Sequence, residues 1–296
     1  VYKRQSCGGS PILPPGATLH SLATFLHRSK GSRNTERSCL RYYGGVSERM
    51  EPGNPFGQGA QHLAEAVYGG EPSGLELIRR HTLLGLFGPA MGEAWWGNRF
   101  RAPIAEGIAT RKFAPESWLG KPLSWCPDCC REDIDQFGWA PWRVVHQVPF
   151  AHHCPSHGTA LLAICAVCHE PLDRGFHWRL PGDACRRCRG QSFSSGFMVD
   201  ESSGYRRLLR VLAGLDGVMA SKGPVPARET FPEGNVNSSW VMPWQNVSTL
   251  LSAEWGLANP ESSIARLLGV REKPGFIRTA LLRPELASVL AVLLLR

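Results

Sequence analysis

No stretch of this chain is apolar for long enough to cross a bilayer. The C-terminal run Leu286–Leu295 has about ten apolar residues, against the ~20 that a membrane helix needs, so it reads as a packed helix. The first residues, "VYKRQSCGGSPILPPG", have no apolar core of the kind a secretory leader carries. β-Branched residues are few outside short stretches, while Leu and Ala dominate the apolar set, which leans the chain toward helix. Two enzymatic zinc signatures are also missing. There is no HExxH, and the "WCPDCC" segment has no preceding His-x-Glu, as a zinc deaminase would require. These absences point away from a membrane protein and from zinc hydrolase or deaminase chemistry. They lead to the expectation of a cytoplasmic protein in a reducing compartment, where ordered cysteine pairs suggest metal rather than disulfides.

What is present falls into four regions. Residues 1–16 are rich in Gly, Pro and Ser and read as a disordered N-terminus. Residues 17–120 read as a helical, helix-turn-helix-like domain. In "GATLHSLATFLHRSKG", Leu19, Leu22, Ala23 and Leu26 recur at helical spacing behind Thr18 as N-cap. "NPFGQGAQHLAEAVYGG" gives a second helix, starting near Asn54 or Pro55, and "EPSGLELIRRHTLLGLFGPAM" a third, from about Ser73, broken at Gly85 and Gly88. Short helices with tight turns fit either a helix-turn-helix or another small helical domain. Residues 121–195 change texture, concentrating cysteine, Trp, Pro and Gly without a long periodic run. Residues 196–296 return to a helical region, in which "SSGYRRLLRVLAGLDGVMASKG" places Tyr205, Leu208, Leu209, Leu212 and Leu215 on one face. The fold class expected is therefore mainly α with a small irregular or β zinc-binding module.

The cysteine-rich region carries the chemistry. Cys126/Cys129, Cys154/His157, Cys165/Cys168 and Cys185/Cys188 are four pairs, each with two residues between its members. That gap lets a tight turn aim both side chains at one ion, and two such knuckles close a tetrahedral zinc site. Pairing in chain order gives a Cys₃His site (Cys126, Cys129, Cys154, His157) and a Cys₄ site (Cys165, Cys168, Cys185, Cys188). An interleaved, cross-braced pairing uses the same residues. An iron–sulfur cluster is the competing occupant of four cysteines, but His157 and the two-plus-two spacing favour zinc. Each site has four protein donors, where a catalytic zinc keeps an open position. Two structural Zn²⁺ ions whose binding is coupled to folding are therefore expected. Cys130 reads as a half-buried spare thiol, His152 and His153 as strand or turn residues, Cys7 and Cys39 as inert, and His146 as a hydrogen-bonding residue under a knuckle.

The net charge of +8 is spread unevenly, with 14 basic against 9 acidic residues in 1–120, 8 against 7 in 121–195, and 11 against 9 in 196–296. Two zinc–thiolate sites would bring the middle region to about −2. A module that grips DNA is normally clearly basic. Arg186, Arg187 and Arg189 flank the last knuckle within reach of a phosphate, but the region as a whole reads as a rigid scaffold or protein-docking surface. Arg206, Arg207 and Arg210 lie largely off the apolar face of their helix and are candidate nucleic-acid contacts, weighed against an ordinary solvated helix face.

The segment "WCPDCCREDIDQFGWAPWRVVHQVPFAHHCPSHGTALLAICAVCHEPL" resembles the TniQ family, which includes TnsD-type proteins. The matching elements are Cys126-Pro127-Asp128-Cys129, the acidic pair Glu132-Asp133, Gly138, Trp142-Arg143, His146-Gln147, Pro149, Cys154, His157-Gly158, Leu161 or Leu162, and the two later cysteine pairs. The HQxP element between knuckles is the specific part. Pro141, Phe150 and the extra Cys130 depart from the family pattern. The resemblance implies a non-enzymatic target-selection factor in Tn7-type and related DNA transposition. Its partners would be target DNA or a CRISPR guide complex on one side and the AAA+ transposition ATPase on the other, in some systems as a homodimer. A zinc-containing helix-turn-helix transcription regulator is the alternative, and would need a basic recognition helix.

Overall fold

In the computed structural model the described residues are 13–31, 34–43, 57–83, 122–148, 151–172 and 178–195, with 209, 210, 213 and 214. They are mostly helical, with little strand. Helix α1 (Leu19–Ser29) begins where Thr18, in extended backbone, accepts the Ser21 N–H on its hydroxyl, satisfying one of the free amides of a first turn. The face read from the sequence is the buried one, since Leu19, Leu22, Ala23 and Leu26 all lie in the core. Helices α2 (Thr35–Tyr43), α3 (Gly57–Tyr68) and α4 (Gly74–His81) follow.

Ser73 caps α4, and the Gly74 amide donates to the Gln61 side chain of α3 at 3.0 Å. α4 can start there only because residue 74 is glycine. A Cβ at that position would meet the Gln61 backbone nitrogen at 2.5 Å. The shared core is Leu19, Leu22, Ala23, Leu26, Tyr42, Ala60, Leu63, Ala64, Leu77 and Ile78. It also contains Trp178, from the cysteine-rich region, which stacks on His27 with ring centroids 4.7 Å apart.

The cysteine-rich region contributes helix α5 (Pro127–Phe137), a 3-10 turn (Val144–Gln147) and an antiparallel pair, β1 (Ile164–Cys165) with β2 (Phe193–Ser194). α5 has Pro127 in its first turn and ends at Gly138, whose φ of 78° is the left-handed closing conformation that glycine adopts without cost.

A short strap ties this region to the helices. Thr18 N–H donates to Trp142 O at 2.8 Å, Val144 N–H donates to Gly16 O at 2.7 Å, and Trp142 N–H donates to the Ser21 hydroxyl at 2.7 Å. From the other side His81 Nδ1–H donates to Ala17 O at 2.8 Å, with burial pushing its pKa down to about 4, so that it serves as a neutral donor. Phe25 meets Trp139 at 4.6 Å, and Arg28 pairs with Asp183. The two regions therefore share a seam and a core residue.

The helices expected between residues 196 and 296 lie outside the described residues, except that 209, 210, 213 and 214 are helical. Arg210 is exposed there, while Arg206 and Arg207 lie outside. Among the described residues, no helix is long and apolar enough to cross a membrane.

Candidate metal centre

The four pairs assemble in chain order. Cys126, Cys129, Cys154 and His157 form one quartet and Cys165, Cys168, Cys185 and Cys188 the other, with the donor atoms of each quartet within 4.8 Å of one another. In the first, Cys129 Sγ lies 3.5 Å from Cys154 Sγ, and His157 Nδ1 lies 3.3, 3.5 and 3.7 Å from the sulfurs of Cys129, Cys154 and Cys126. In the second, Cys165–Cys188 and Cys168–Cys185 are each 3.5 Å apart. A disulfide would need about 2.05 Å. A tetrahedron with metal–sulfur bonds of about 2.3 Å has edges of about 3.8 Å. The quartets therefore fit zinc, and an interleaved pairing is excluded by the distances.

Three of the four knuckles share one turn. Cys154 N–H donates to Thr159 O while Gly158 N–H donates to Cys154 O; Cys165 pairs in the same way with Glu170 and His169, and Cys185 with Gly190 and Arg189. The fifth residue of each turn is left-handed, with φ of 67° at Gly158, 56° at His169 and 64° at Arg189. The turn folds the second ligand back over the first and aims amides at sulfur. At Cys185 burial opposes ionisation, but the amides of Cys188 and Arg187 and the neighbouring thiols outweigh it and draw the pKa down to about 6. The Cys126/Cys129 pair is built differently, on the first turn of α5, with Cys126 as N-cap. Its thiol is drawn far down, first by hydrogen bonds from Cys129 and Cys154, whose own pKa values rise in return.

Most of the segment between the knuckles serves the first quartet. His157 Nε2–H donates to Glu132 at 2.9 Å, leaving the Nδ1 lone pair to face the three sulfurs. His146 Nε2 lies 3.8 Å from Cys129 Sγ, the hydrogen bond under the knuckle that the sequence suggested. Thr159 bridges Cys126 Sγ at 3.0 Å and Asp128 at 3.1 Å. Asp133, 2% exposed, takes a two-pronged contact from Arg143 at 3.0 and 2.8 Å. Gln147 clamps Ser124, accepting its N–H at 3.1 Å and donating to its carbonyl at 2.8 Å. Trp142 Nε1–H donates to Arg179 O at 2.7 Å.

The acidic pair and the W-R-x-x-H-Q run are therefore a bracing set. One acid orients a ligand, the other fixes the arginine of the strap, and the His and Gln lock the turn. These roles of Glu132, Asp133 and Gln147 were not apparent from spacing; the only sequence signal was their clustering between ligands.

Cys130 is buried rather than half-buried, in a cluster with Leu123, Trp125, Ala140 and Trp142. Burial pushes its thiol up to about 11, so it is a packing residue. His153 pairs with Ala160 in an isolated bridge and the His152 carbonyl accepts from Leu161, as turn or strand residues do. Cys39 packs against the helical core, and burial raises its pKa. Cys7 lies outside the described residues.

The TniQ family model matches residues 10–161, just over half of the chain. The chain belongs to the TniQ family. That membership carries a general role in transposition, in the selection of target sites. No curated protein matches the chain. The TniQ match takes in α1 through α5, the strap and the whole Cys₃His quartet, and it ends short of Cys165. The Cys₄ quartet therefore stands on its own geometry. When loaded, zinc would serve as a cross-link at both places, held by eight residues whose thiolates and imidazole are already gathered.

Proposed function

We propose that this TniQ protein is a non-catalytic target-selection adaptor in DNA transposition. It links target DNA, or an RNA-guided complex bound to it, to the AAA+ regulator of the transposase. The observation that carries the reading is the TniQ match over the region where the helices and the segment holding the first quartet are joined by one strap. A part built this way suits transmitting a binding event, because its two halves cannot move independently without breaking the seam. The non-catalytic character is supported by the ligand sets. Each quartet already offers four protein donors, leaving no position at which a metal-bound water would act. The alternative, a helix-turn-helix transcription regulator, would use α3, the Gly69–Ser73 connection and α4, with Arg79, Arg80 and His81 in the last turn. His81 is buried and Arg80 is engaged by Glu76, which leaves little for reading bases.

The deciding experiment is co-precipitation of the zinc-loaded chain with its cognate AAA+ regulator, with and without target DNA. Capture of the regulator supports the adaptor. DNA binding with no capture of the regulator under any condition supports the transcription-regulator reading.

A further inference from the structure

Four knuckles hold the two quartets, and one differs in charge from the rest. The residues between or just after the ligands are Pro127 and Asp128 in the first, Pro155, Ser156 and Gly158 in the second, and Ala166, Val167 and His169 in the third. In the fourth they are Arg186, Arg187 and Arg189. All three arginines are exposed. Among the described residues Arg187 has one acidic neighbour, Glu170, at 3.6 Å on a side chain itself 49% exposed. Arg186 and Arg189 make no ion pair or hydrogen bond through their side chains among the described residues. The arginine backbone serves the knuckle, through the Arg187 and Arg189 amides, but the Arg186 and Arg189 side chains do not hold it together.

The turn that carries them is rigid. Cys185 N–H donates to Gly190 O at 2.7 Å, Arg189 N–H donates to Cys185 O at 2.9 Å, and Gly190 N–H donates to Cys188 Sγ at 3.4 Å. Arg189 occupies the left-handed position that Gly158 fills in the Cys154 turn and His169 in the Cys165 turn. Nothing in the packing requires a long cation there, and glycine would suit the backbone better.

We propose that the Cys185–Gly190 knuckle is a phosphate-backbone contact for duplex DNA. The proposal rests on the target-selection reading and adds the surface that would grip the target. Three exposed arginines on one short turn suit the phosphates of a duplex, and guanidinium matches phosphate geometry with paired N–H donors. Binding of a single strand normally adds aromatic faces on which bases stack. The exposed large apolar side chains among the described residues are Leu40, Ile134 and Val167, none of them aromatic. Val167, 62% exposed, sits against Gly190 beside the arginines, where it can lie along sugar.

The test is anisotropy of a labelled random-sequence duplex with the full zinc-loaded chain, between about 50 and 200 mM salt. Each lost phosphate contact lowers the log–log salt slope by about 0.9. The variant Arg186→Ala/Arg187→Ala/Arg189→Ala should therefore flatten the slope by about 2–3 while keeping two zinc per chain. Arg189→Gly separates binding from folding, because it should leave thermal stability unchanged or higher and still flatten the slope by about 1. An unchanged slope in zinc-replete variants, no duplex binding by the parent chain, or a loss confined to a single-stranded RNA probe would each overturn the proposal. Regulator capture is read in parallel. Intact capture with an unchanged slope removes the knuckle surface and leaves the adaptor, whereas a flattened slope with no capture does the reverse.

Discussion

The two quartets use the same ligand spacing and are built to different standards. Around the first, three sulfurs are essentially sealed from solvent, and Glu132, His146, Thr159 and the Asp133–Arg143 pair back the ligands or their supports. Around the second, Cys165 and Cys185 are buried, but Cys188 is exposed, and support comes from backbone amides and a two-residue strand pair. Spacing thus tells where a metal sits, and the surroundings decide how firmly. The better-braced site lies inside the TniQ match and carries the strap to α1, whereas the barer one lies beyond it and carries the arginine knuckle.

The contrast is broken most directly at the ligands. Cys126→Ser should abolish cooperative unfolding across α1 to α5, because the first quartet anchors α5 and the strap hangs from it, and calorimetry would read this as loss of the transition. Cys188→Ser should instead remove one zinc and leave the α1–α5 transition in place. Equal damage from the two would show that the sites are not ranked.

Next in size is the buried ion pair. Asp133→Ala removes the buried carboxylate that Arg143 grips, and denaturant titration should show a loss of about 3–5 kcal/mol. A loss below about 1 kcal/mol would mean that the strap does not depend on it. Glu132→Gln keeps the shape but removes the carboxylate behind His157. Zinc affinity at the first quartet should fall about 10–100-fold, with the second unaffected, as read by competition with a chromophoric chelator. Smallest is Thr18→Ala, which deletes the cap of α1 and should cost about 1 kcal/mol in thermal melts without changing zinc content.

Much of this was legible in the sequence. Thr18 and the Leu19–Leu22–Ala23–Leu26 stripe announced α1, Ser73 announced α4, and two-residue gaps announced both quartets. Helix α2 was not read, because "TERSCLRYY" is mostly polar and one of its few apolar residues, Leu40, faces solvent. Helix α5 was hidden in another way. Its inward residues are Cys129, Cys130 and Asp133, a stripe defined by metal and an ion pair rather than by hydrophobicity, although Pro127 and Gly138 marked its ends. The seam was not readable at all. Ser21 and Trp142 are 121 residues apart, and no local pattern encodes a bond of that range. Likewise Trp178 reads as part of the zinc region and is packed among helices.

The most direct test is chelator-driven zinc release from the intact chain, with alkylation of freed cysteines mapped by mass spectrometry. The account predicts two zinc ions leaving in two steps, with Cys165, Cys168, Cys185 and Cys188 labelled before Cys126, Cys129 and Cys154. A single zinc per chain, or release in which the first quartet opens first, would contradict it.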